Sequence, residues 1–295
     1  MQLLIVESAS KCNKIEELLD YEYQCIASYG HLRKLKNVTK NFKCIYKIID
    51  KKTVQRMRDI IKSADEVILA TDDDREGESI AWHICDVFSL NVSTTKRIIF
   101  NEITKEALQN AIKNPTLINM DIVEAQKARM ILDQTVGYSI SPTLWKHINR
   151  TGSLSAGRCQ TPALRIIYDN DNEIRETRHQ YVYKTIATIS NIPFELNHQF
   201  TEDDDVISFL KMSKEFKHIL TRTKAIITKR SAPTPFTTSS LQQAASNKYN
   251  MSPKITMSVA QKLYQSGNIT YMRTDNNKIS FEYGEKIKKM IKSNY

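Results

Sequence analysis

Carboxylate side chains are concentrated at one point of the chain. Residues 72–78 read Asp-Asp-Asp-Arg-Glu-Gly-Glu one residue after the apolar run of residues 67–70, and Glu7 directly follows the apolar run of residues 3–6. Crowded carboxylates repel one another unless a hard cation or a basic partner joins them. Because oxygen-only ligands favour Mg²⁺ over zinc or copper, the pattern predicts a Mg²⁺ site formed by Glu7, Asp72, Asp74 and Glu76.

The alternative interpretation of this acidic run is a solvated turn, which is the usual meaning of consecutive aspartates. Two features favour the metal site. The acids follow a strand pattern instead of lying in a polar tract, and Gly77 relieves crowding where the backbone must turn into a helix.

The first hundred residues alternate strand and helix patterns. Residues 3–6 and 67–70 predict strands, whereas residues 11–19 and 78–88 predict helices, and this order is typical of a parallel sheet flanked by helices. Ligands of such sheets bind beyond the carboxyl ends of the strands. If the two strands are neighbours, Glu7 therefore converges with the acids that follow residue 71.

A different pattern begins near Pro115. Residues 121–135 predict a long helix that ends at Gly137 as a C-terminal cap. Its apolar stripe comprises Ile122, Ala125, Ala128 and Leu132, and its polar stripe comprises Gln126, Arg129 and Asp133.

The remaining residues predict a β-rich unit and then helices. Alternating apolar positions in residues 181–189, and the run near Ala225, indicate strands. The two prolines in residues 231–235 indicate a linker. Signals for two helices follow. Ser239 with Gln242 resembles a capping box at the start of the first, and the second is predicted to begin at Ser252 and Pro253 and to end at Gly267.

The overall composition favours a soluble protein with a polyanionic partner. The 43 Lys and Arg residues exceed the 33 Asp and Glu residues by ten, which favours nucleic acid, although a merely basic soluble protein has the same balance. The five cysteines form no CxxC pair, so neither a zinc ribbon nor a disulfide framework is predicted. No secretory signal or membrane-spanning run is present, so we expect an intracellular protein, cytoplasmic or in another DNA-containing compartment, that is not secreted and binds no membrane.

Several motifs resemble one family, in the same order along the chain. Residues 6–8 (VES) with Lys11, residues 27–32 (ASYGHL) and residues 69–83 (LATDDDREGESIAWH) resemble the Toprim domain in the form found in type IA DNA topoisomerases. Residues 100–108, 125–145 and 154–165 are similar to the same family. Asp73 and Ala9 stand where the family commonly has proline, and neither is a predicted ligand.

The resemblance implies a groove for single-stranded DNA, where aromatic faces can stack on bases. Without the resemblance, Arg129 and Asp133 would be interpreted as a surface ion pair, and residues 155–158 as a plain turn. Tyr138 and Trp145 would be interpreted as core residues. Met130 replaces the second arginine of a family pair. The implied DNA-binding residues are His31, Arg129, Asp133, Tyr138, Trp145, Leu154, Ser155, Ala156, Gly157, Arg158, Cys159 and Gln160.

Residues 235–250 and 260–275 resemble the segment that carries the catalytic tyrosine of this family, and Tyr271 takes the place of that tyrosine. The chain has 13 tyrosines, and only the motif selects this one. A phenolate can attack a phosphodiester and conserve the bond energy as a phosphotyrosyl ester. Arg273 can hold a phosphate oxygen, and Lys11 and Glu7 would approach the same phosphate from the Toprim side.

The resemblance also implies a multidomain α/β architecture, in which a Toprim domain with a Rossmann-like parallel sheet precedes α-rich and mixed α+β segments. The expected divisions are a Toprim domain at 1–115, a helical DNA-groove segment at 116–180, a β-rich arch segment at 181–232 and a helical active-site tyrosine segment at 233–295. Because the toroidal core of the family continues well beyond its tyrosine, we expect the arch to be incomplete in this chain.

The implied function is cleavage of one DNA strand without ATP, through a 5′-phosphotyrosyl intermediate, followed by strand passage and religation that relax negative supercoils. The enzyme would act as a monomer on single-stranded segments of DNA, with Mg²⁺. The alternative is a truncated, non-catalytic fragment that binds single-stranded DNA. A Toprim primase or nuclease would not explain residues 270–275 (TYMRTD). Activity of the chain alone, cleavage-site preference and protein partners stay open.

Overall fold

The structure is a computed structural model that describes residues 1–148, 154–177, 181–279 and 281–294. Its backbone separates into two compact units. The first comprises Met1–Ala156 with Ala232–Tyr295, and the second comprises Gly157–Ser231. The proline-containing residues 231–235, predicted as a linker, thus coincide with a unit boundary.

Eight strands and ten helices occur in the described residues. The strands are β1 (Gln2–Val6), β2 (Tyr23–Ala27), β3 (Arg33–Val38), β4 (Cys44–Ile48), β5 (Glu66–Ala70), β6 (Lys96–Arg97), β7 (Ile186–Ile189) and β8 (Ile192–Glu195). The helices are α1 (Ala9–Leu18), α2 (Lys51–Ser63), α3 (Arg75–Phe88), α4 (Lys105–Lys113), α5 (Met120–His147), α6 (Gln160–Glu176), α7 (Asp203–Glu215), α8 (Thr238–Tyr249), α9 (Pro253–Gln265) and α10 (Phe281–Asn294).

The predicted parallel sheet is confirmed. Its strand order is β2-β1-β5-β6, and all three pairings are parallel. Strands β1 and β5 are neighbours in a register that pairs Val6 with Ala70. Glu7 and Thr71 therefore leave the sheet side by side, as the convergence of the acids requires.

Each face of the sheet has its own hydrophobic core, because successive side chains of a strand point to opposite faces. Leu3 and Ile5 pack with residues of α2 and α3. Leu4 and Val6 pack into a cluster that also contains Tyr264 and Tyr271. The segment that carries the predicted nucleophile therefore lies against the sheet, and not in a separate core.

The prediction that a helix ends at Gly137 is wrong. Helix α5 has 28 residues and continues through Gly137 and Pro142, and Asn119 caps its N-terminus by accepting from the N–H groups of residues 121 and 122. A glycine inside a helix costs only about 1 kcal/mol, so its presence alone did not require an end. The predicted apolar stripe is also wrong, since Ala125, Ala128 and Leu132 are exposed and Val123 is the buried apolar residue of the helix.

The helices around the predicted nucleophile begin and end close to the expected residues. Ser252 caps α9 by accepting from the N–H of residue 255, with Pro253 in the first turn, and Gly267 follows the helix with φ +76°. The capping box of α8, however, is formed by Thr237 with Ser240. The prediction of Ser239 with Gln242 was displaced by two residues, within the uncertainty of helix ends.

The second unit contains α6, the β7–β8 hairpin and α7. The hairpin lies inside the predicted β-rich region, but the strand predicted near Ala225 is wrong, because the described residues 216–231 contain neither helix nor strand. There Ile226 is 83% exposed and Ile227 is 92% exposed, so burial of these side chains does not stabilise a strand. Helix α7 was missed although three acids occupy its first turn, a charge pattern that favours a helix N-terminus.

The five cysteines are free thiols. None of the described helices is long and apolar enough to span a membrane.

Candidate active site

The acidic loop between β5 and α3 is held by its own backbone. The Asp72 N–H donates to Glu7 Oε1 at 2.9 Å, and the Gly77 N–H donates to Asp74 Oδ1 at 2.8 Å, which makes Asp74 the N-cap of α3. A Cβ atom at Gly77 would lie only 2.1 Å from the Asp72 carbonyl oxygen. The loop can therefore close so tightly only because residue 77 is glycine, and this closure brings Asp72 and Asp74 to the end of β1.

Lys11 is fully buried beneath this loop. Its ammonium group forms an ion pair with Asp72, and it lies 4.7 Å from the centre of the Tyr264 ring. A buried cation requires such a partner, because an unpaired charge in a low dielectric is costly. Lys11 thus places positive charge at the floor of the acidic cluster.

Tyr271 reaches the cluster from the segment after α9. Its N–H donates to the carbonyl of Asn101 at 2.7 Å, and its ring packs edge-on against Tyr264 with centroids 5.1 Å apart. The phenol donates to Asp74 Oδ2 at 2.6 Å, and Tyr271 is only 5% exposed. Burial, followed by the hydrogen bond to Asp74, raises the pKa of Tyr271, so the phenol keeps its proton at neutral pH.

Thr238 fixes the backbone on which Tyr271 lies, and sequence reasoning missed it. Its hydroxyl donates to the carbonyl of Met272 at 2.7 Å, and the N–H of Thr274 donates back to the same hydroxyl at 2.9 Å. A backbone bond from the Thr238 N–H to the Thr274 carbonyl completes the arrangement at 2.9 Å. The only sequence signal was its place at the start of α8.

Arg273 joins two of the acids. Its Nη1 atom donates to Asp74 Oδ2 at 2.9 Å and to Glu76 Oε2 at 3.3 Å. Glu76 also lies 3.4 Å from His31 Nε2. The hydrogen bond from His31, with further contributions from Arg273, lowers the pKa of Glu76 to about 2. Because Asp74 Oδ2 accepts from both the Tyr271 phenol and Arg273 Nη1, these two side chains share one carboxylate oxygen.

The acids, His31 and Arg273 line an open cleft of about 370 Å³, whereas Tyr271 and Lys11 lie beside it and are not among its lining residues. It contains the four predicted metal ligands together with His31 and Arg273, so the structure brings these sequence-predicted residues together. The lining residues are Glu7, Gly30, His31, Asp72, Asp74, Glu76, Ile80, Met257, Ser258, Gln261, Met272 and Arg273.

The cleft has the donor chemistry of a hard-cation site, and three of its four predicted ligands form ion pairs with basic side chains. Lys11 pairs with Asp72, and Arg273 bridges Asp74 and Glu76. Among the described residues, no three acid, histidine or cysteine side chains converge at ligand distances. Burial, and then the Asp72 carboxylate, raise the pKa of Glu7 to about 7. This crowding is what a cation would relieve, because all four side chains offer oxygen.

A buried ion pair supports the acidic loop from below. Arg97 donates to Glu78 Oε2 at 2.9 Å and to the Asp72 carbonyl at 3.0 Å, and both side chains are almost fully buried. Glu78 Oε1 accepts from the N–H of Asn119 at 2.6 Å, so the same pair holds the start of α5. Sequence reasoning missed Arg97. The available signal was Glu78, an acid inside an otherwise apolar helix face that needs a buried partner.

The predicted DNA-binding residues of α5 are accessible to solvent. Arg129 Nε lies 4.0 Å from Asp133 Oδ2 on the helix surface, and Tyr138 is 78% exposed. Trp145 is also exposed, and its indole N–H donates to the Leu154 carbonyl at 2.5 Å. Neither aromatic side chain is a core residue, and apart from His31 none of the predicted DNA-binding residues lines the cleft.

The predicted backbone clamp of residues 154–160 is divided between the two units. Ala156, in the first unit, donates its N–H to Ser141 Oγ of α5 at 3.1 Å. Gly157, in the second unit, donates its N–H to Thr161 Oγ1 at 3.1 Å. The remaining predicted residues lie beside these two, with Ser155 before Ala156, Arg158 exposed, Cys159 at the N-cap of α6 and Gln160 as its first residue. Their binding of DNA stays a prediction.

Comparison with known proteins agrees with this geometry. Residues 2–103 match the family described as the Toprim domain, and residues 117–295 match the family described as DNA topoisomerase. Full-length topoisomerase I from Thermotoga maritima is similar to this chain, with 34% identity and a TM-score of 0.85 over 99% of this chain and 52% of that one. The chain thus spans about half the length of that relative. The DNA topoisomerase match covers more than half of the chain, and with the Toprim match it shows that the chain belongs to the type IA DNA topoisomerase family.

Proposed function

We propose that this chain cuts one DNA strand by attack of Tyr271 on a phosphodiester and so supplies the cleavage chemistry of a type IA topoisomerase. The observation that carries the proposal is the 2.6 Å hydrogen bond from the Tyr271 phenol to Asp74, which lines the cleft together with Arg273 and Glu7. A nucleophile bonded to its proton acceptor next to a phosphate-binding cation is the arrangement that such attack requires.

In the proposed step, the phenolic oxygen of Tyr271 forms a bond to phosphorus while its proton passes to Asp74. Because the pKa of Tyr271 is raised, little phenolate exists beforehand, and proton transfer must accompany attack. The bond from phosphorus to the 3′ oxygen breaks, which leaves the 5′ phosphate on the protein. Arg273 exchanges its bonds to Asp74 and Glu76 for phosphate oxygens, where its charge offsets the charge of the transition state.

The departing 3′ oxygen needs a proton, and we assign its donation to Glu7. With a pKa raised to about 7 by burial and by Asp72, Glu7 holds a transferable proton near neutral pH. Religation runs the same transfers in reverse, so no nucleotide is consumed. Lys11 and Asp72 hold the floor of the cleft during both directions.

The proposed cation is Mg²⁺, held by Asp72, Asp74 and Glu76, with Glu7 as a fourth ligand when ionised. When bound, it would neutralise phosphate charge and polarise the phosphoryl group. We also propose that a single strand of DNA follows the predicted DNA-binding residues on α5 and at 154–160. Strand passage, relaxation of negative supercoils, the monomeric state, the intracellular location and the domain divisions at residues 115, 180 and 232 are parts of the same proposal.

The test is capture of a covalent adduct with a single-stranded oligonucleotide that carries a label at either its 3′ or its 5′ end. A 5′-phosphotyrosyl link keeps the 3′-labelled fragment on the protein and releases the 5′-labelled one. Tyr271→Phe should abolish the adduct. Tyr264→Phe is the matched control, because it removes a hydroxyl from a neighbouring buried tyrosine whose bond to the Phe100 carbonyl is 3.3 Å long.

Retention of the 5′-labelled fragment, or an adduct that survives Tyr271→Phe, would reject the proposed chemistry. Loss of the adduct in both variants would show that packing, and not the nucleophile, had been disturbed.

A second candidate function is binding of single-stranded DNA without cleavage. It is favoured by the burial of Tyr271 and by the engagement of both Tyr271 and Arg273 with Asp74, since a phosphate must displace these bonds before attack. Tight binding of the oligonucleotide with no adduct at any Mg²⁺ concentration would select this second function.

A further inference from the structure

The hairpin of β3 and β4 is strongly basic. Residues 33–48 contain six cations and no acid. Lys34, Lys36, Lys40, Lys43 and Lys47 are all exposed, and the described part of the chain provides no ion pair to any of the five. None of these lysines belongs to the cleft or to the predicted DNA groove.

One face of this hairpin is fixed to the body of the first unit. The Arg33 guanidinium lies 4.6 Å from the Tyr46 ring centre and 4.8 Å from the Trp82 ring centre. It also bonds to His83 and forms an ion pair with Asp86, both on α3. Stacked and hydrogen-bonded arginine is a rigid anchor, so the opposite face of the hairpin is held in a fixed orientation.

The opposite face brings like charges together. Lys34 pairs directly with Lys47 in the antiparallel register, and the exposed Lys36 lies at the irregularity between Leu35 and Asn37. Like charges directly opposite each other on a sheet are destabilising. No acid of the described chain pairs with Lys34 or Lys47, so an anion from outside the chain would relieve their repulsion.

The tip of the hairpin adds to the same surface. Phe42 has φ +56°, a left-handed conformation that is uncommon for a bulky residue. Phe42 is 64% exposed, and it lies between Lys40 and Lys43 in the sequence. Backbone strain of this kind at an exposed residue is often associated with a functional site.

We propose that Lys34, Lys36 and Lys47, with Lys40 and Lys43 at the tip, bind the phosphate backbone of double-stranded DNA outside the cleft. The inference rests on DNA being the partner in the proposed function. Surfaces for single strands combine cations with aromatic rings on which bases stack. Here the exposed ring of Phe42 lies at the tip, and the face of the paired strands that carries Lys34 and Lys47 has no aromatic side chain. Sequence-independent binding of a duplex needs only such cations at its phosphates.

The test compares the full chain with the triple variant Lys34→Gln, Lys36→Gln and Lys47→Gln. The matched control neutralises Lys113, Lys211 and Lys292, which are exposed lysines with no ion pair in the described residues. Binding of a blunt DNA duplex and of a single strand of the same length is measured from low to physiological salt. For the duplex, the slope of log affinity against log salt should become shallower by about 0.9 for each phosphate that the variant no longer neutralises.

The same three proteins are assayed for covalent adduct on a short single-stranded oligonucleotide. Weaker duplex binding with unchanged adduct yield supports the hairpin surface, whereas absence of adduct in all three proteins would count against the proposed cleavage chemistry instead. Duplex affinity and salt slope equal to those of the control variant would overturn the proposal. Equal weakening toward the duplex and the single strand would overturn the assignment to double-stranded DNA.

Discussion

The acidic cleft and the exposed face of α5 are both expected to meet DNA, yet they are built in opposite ways. In the cleft, Tyr271 and Arg273 bond to Asp74, and Lys11 pairs with Asp72. On α5, the Arg129–Asp133 distance is 4.0 Å and solvent surrounds the pair. Groups that do chemistry must be held in place before the substrate arrives, whereas groups that receive a strand of DNA must stay accessible.

This difference predicts where substitutions cost stability. Lys11, Asp72, Arg97 and Glu78 are buried together beneath the cleft, so removing one member leaves another without a partner. On α5, a side chain that loses its partner stays hydrated, because it is already exposed to solvent. We therefore expect the effect on stability to decrease from the buried network to the exposed helix.

The largest effect should follow Arg97→Met. The substitution leaves Glu78 buried without its cation, and breaking a buried pair in this way costs about 3–5 kcal/mol. Chemical denaturation measures the free energy of unfolding. The double variant Arg97→Met with Glu78→Met should recover part of the loss, because neither charge is then left unpaired. A loss below about 1 kcal/mol for the single variant would show that the pair does not support the acidic loop.

Two helical glycines give the next comparison. Gly77→Ala in α3 would place a Cβ atom 2.1 Å from the Asp72 carbonyl oxygen, whereas the nearest such approach for Gly137→Ala in α5 is 3.8 Å. We expect Gly77→Ala to lower the free energy of unfolding by about 1–3 kcal/mol and to impair cleavage. Gly137→Ala should raise stability by up to about 1 kcal/mol. Equal effects at both positions would contradict the tight closure of the acidic loop.

The raised pKa of Glu7 predicts a pH effect. Because its folded pKa of about 7 exceeds the ordinary value of 4.5, the folded protein binds more protons than the unfolded chain between these values, and stability falls as pH rises through this window. We expect the free energy of unfolding of the parent protein to decrease by about 1 kcal/mol or more across this window, and Glu7→Gln to remove that decrease. Mg²⁺ should also flatten the decrease in the unsubstituted protein, since a bound cation favours ionised Glu7. Thermal unfolding at several pH values measures both, and identical profiles for Glu7→Gln and the parent would reject the assignment.

The smallest effect on stability should follow Arg129→Gln. An exposed i,i+4 pair contributes about 0.3–0.5 kcal/mol, yet affinity for single-stranded DNA should fall and its salt slope should become shallower by about 0.7. Arg175→Gln is the control, because Arg175 forms an exposed i,i+4 pair with Asp171 on α6. If both variants bind the single strand equally well, Arg129 does not bind phosphate.

Local patterns predicted the sheet and the convergence of its acids, because strand alternation and strand ends are properties of neighbouring residues. They could not predict which cation would satisfy each acid. Arg273 and Asp74 are 199 residues apart, and their meeting depends on the packing of α9 against the sheet. The errors at Gly137 and near Ala225 have a related cause, since neither a helix end nor a strand is decided without its tertiary partners.

The most direct test of the central claim is identification of the residue that carries DNA after cleavage. The covalent complex with a single-stranded oligonucleotide is digested with nuclease and protease, and the peptide that retains a nucleotide is sequenced by mass spectrometry. The proposed mechanism predicts that the peptide contains residues 270–275 with the modification on Tyr271. A modification on Tyr264, or on any other residue, would contradict it.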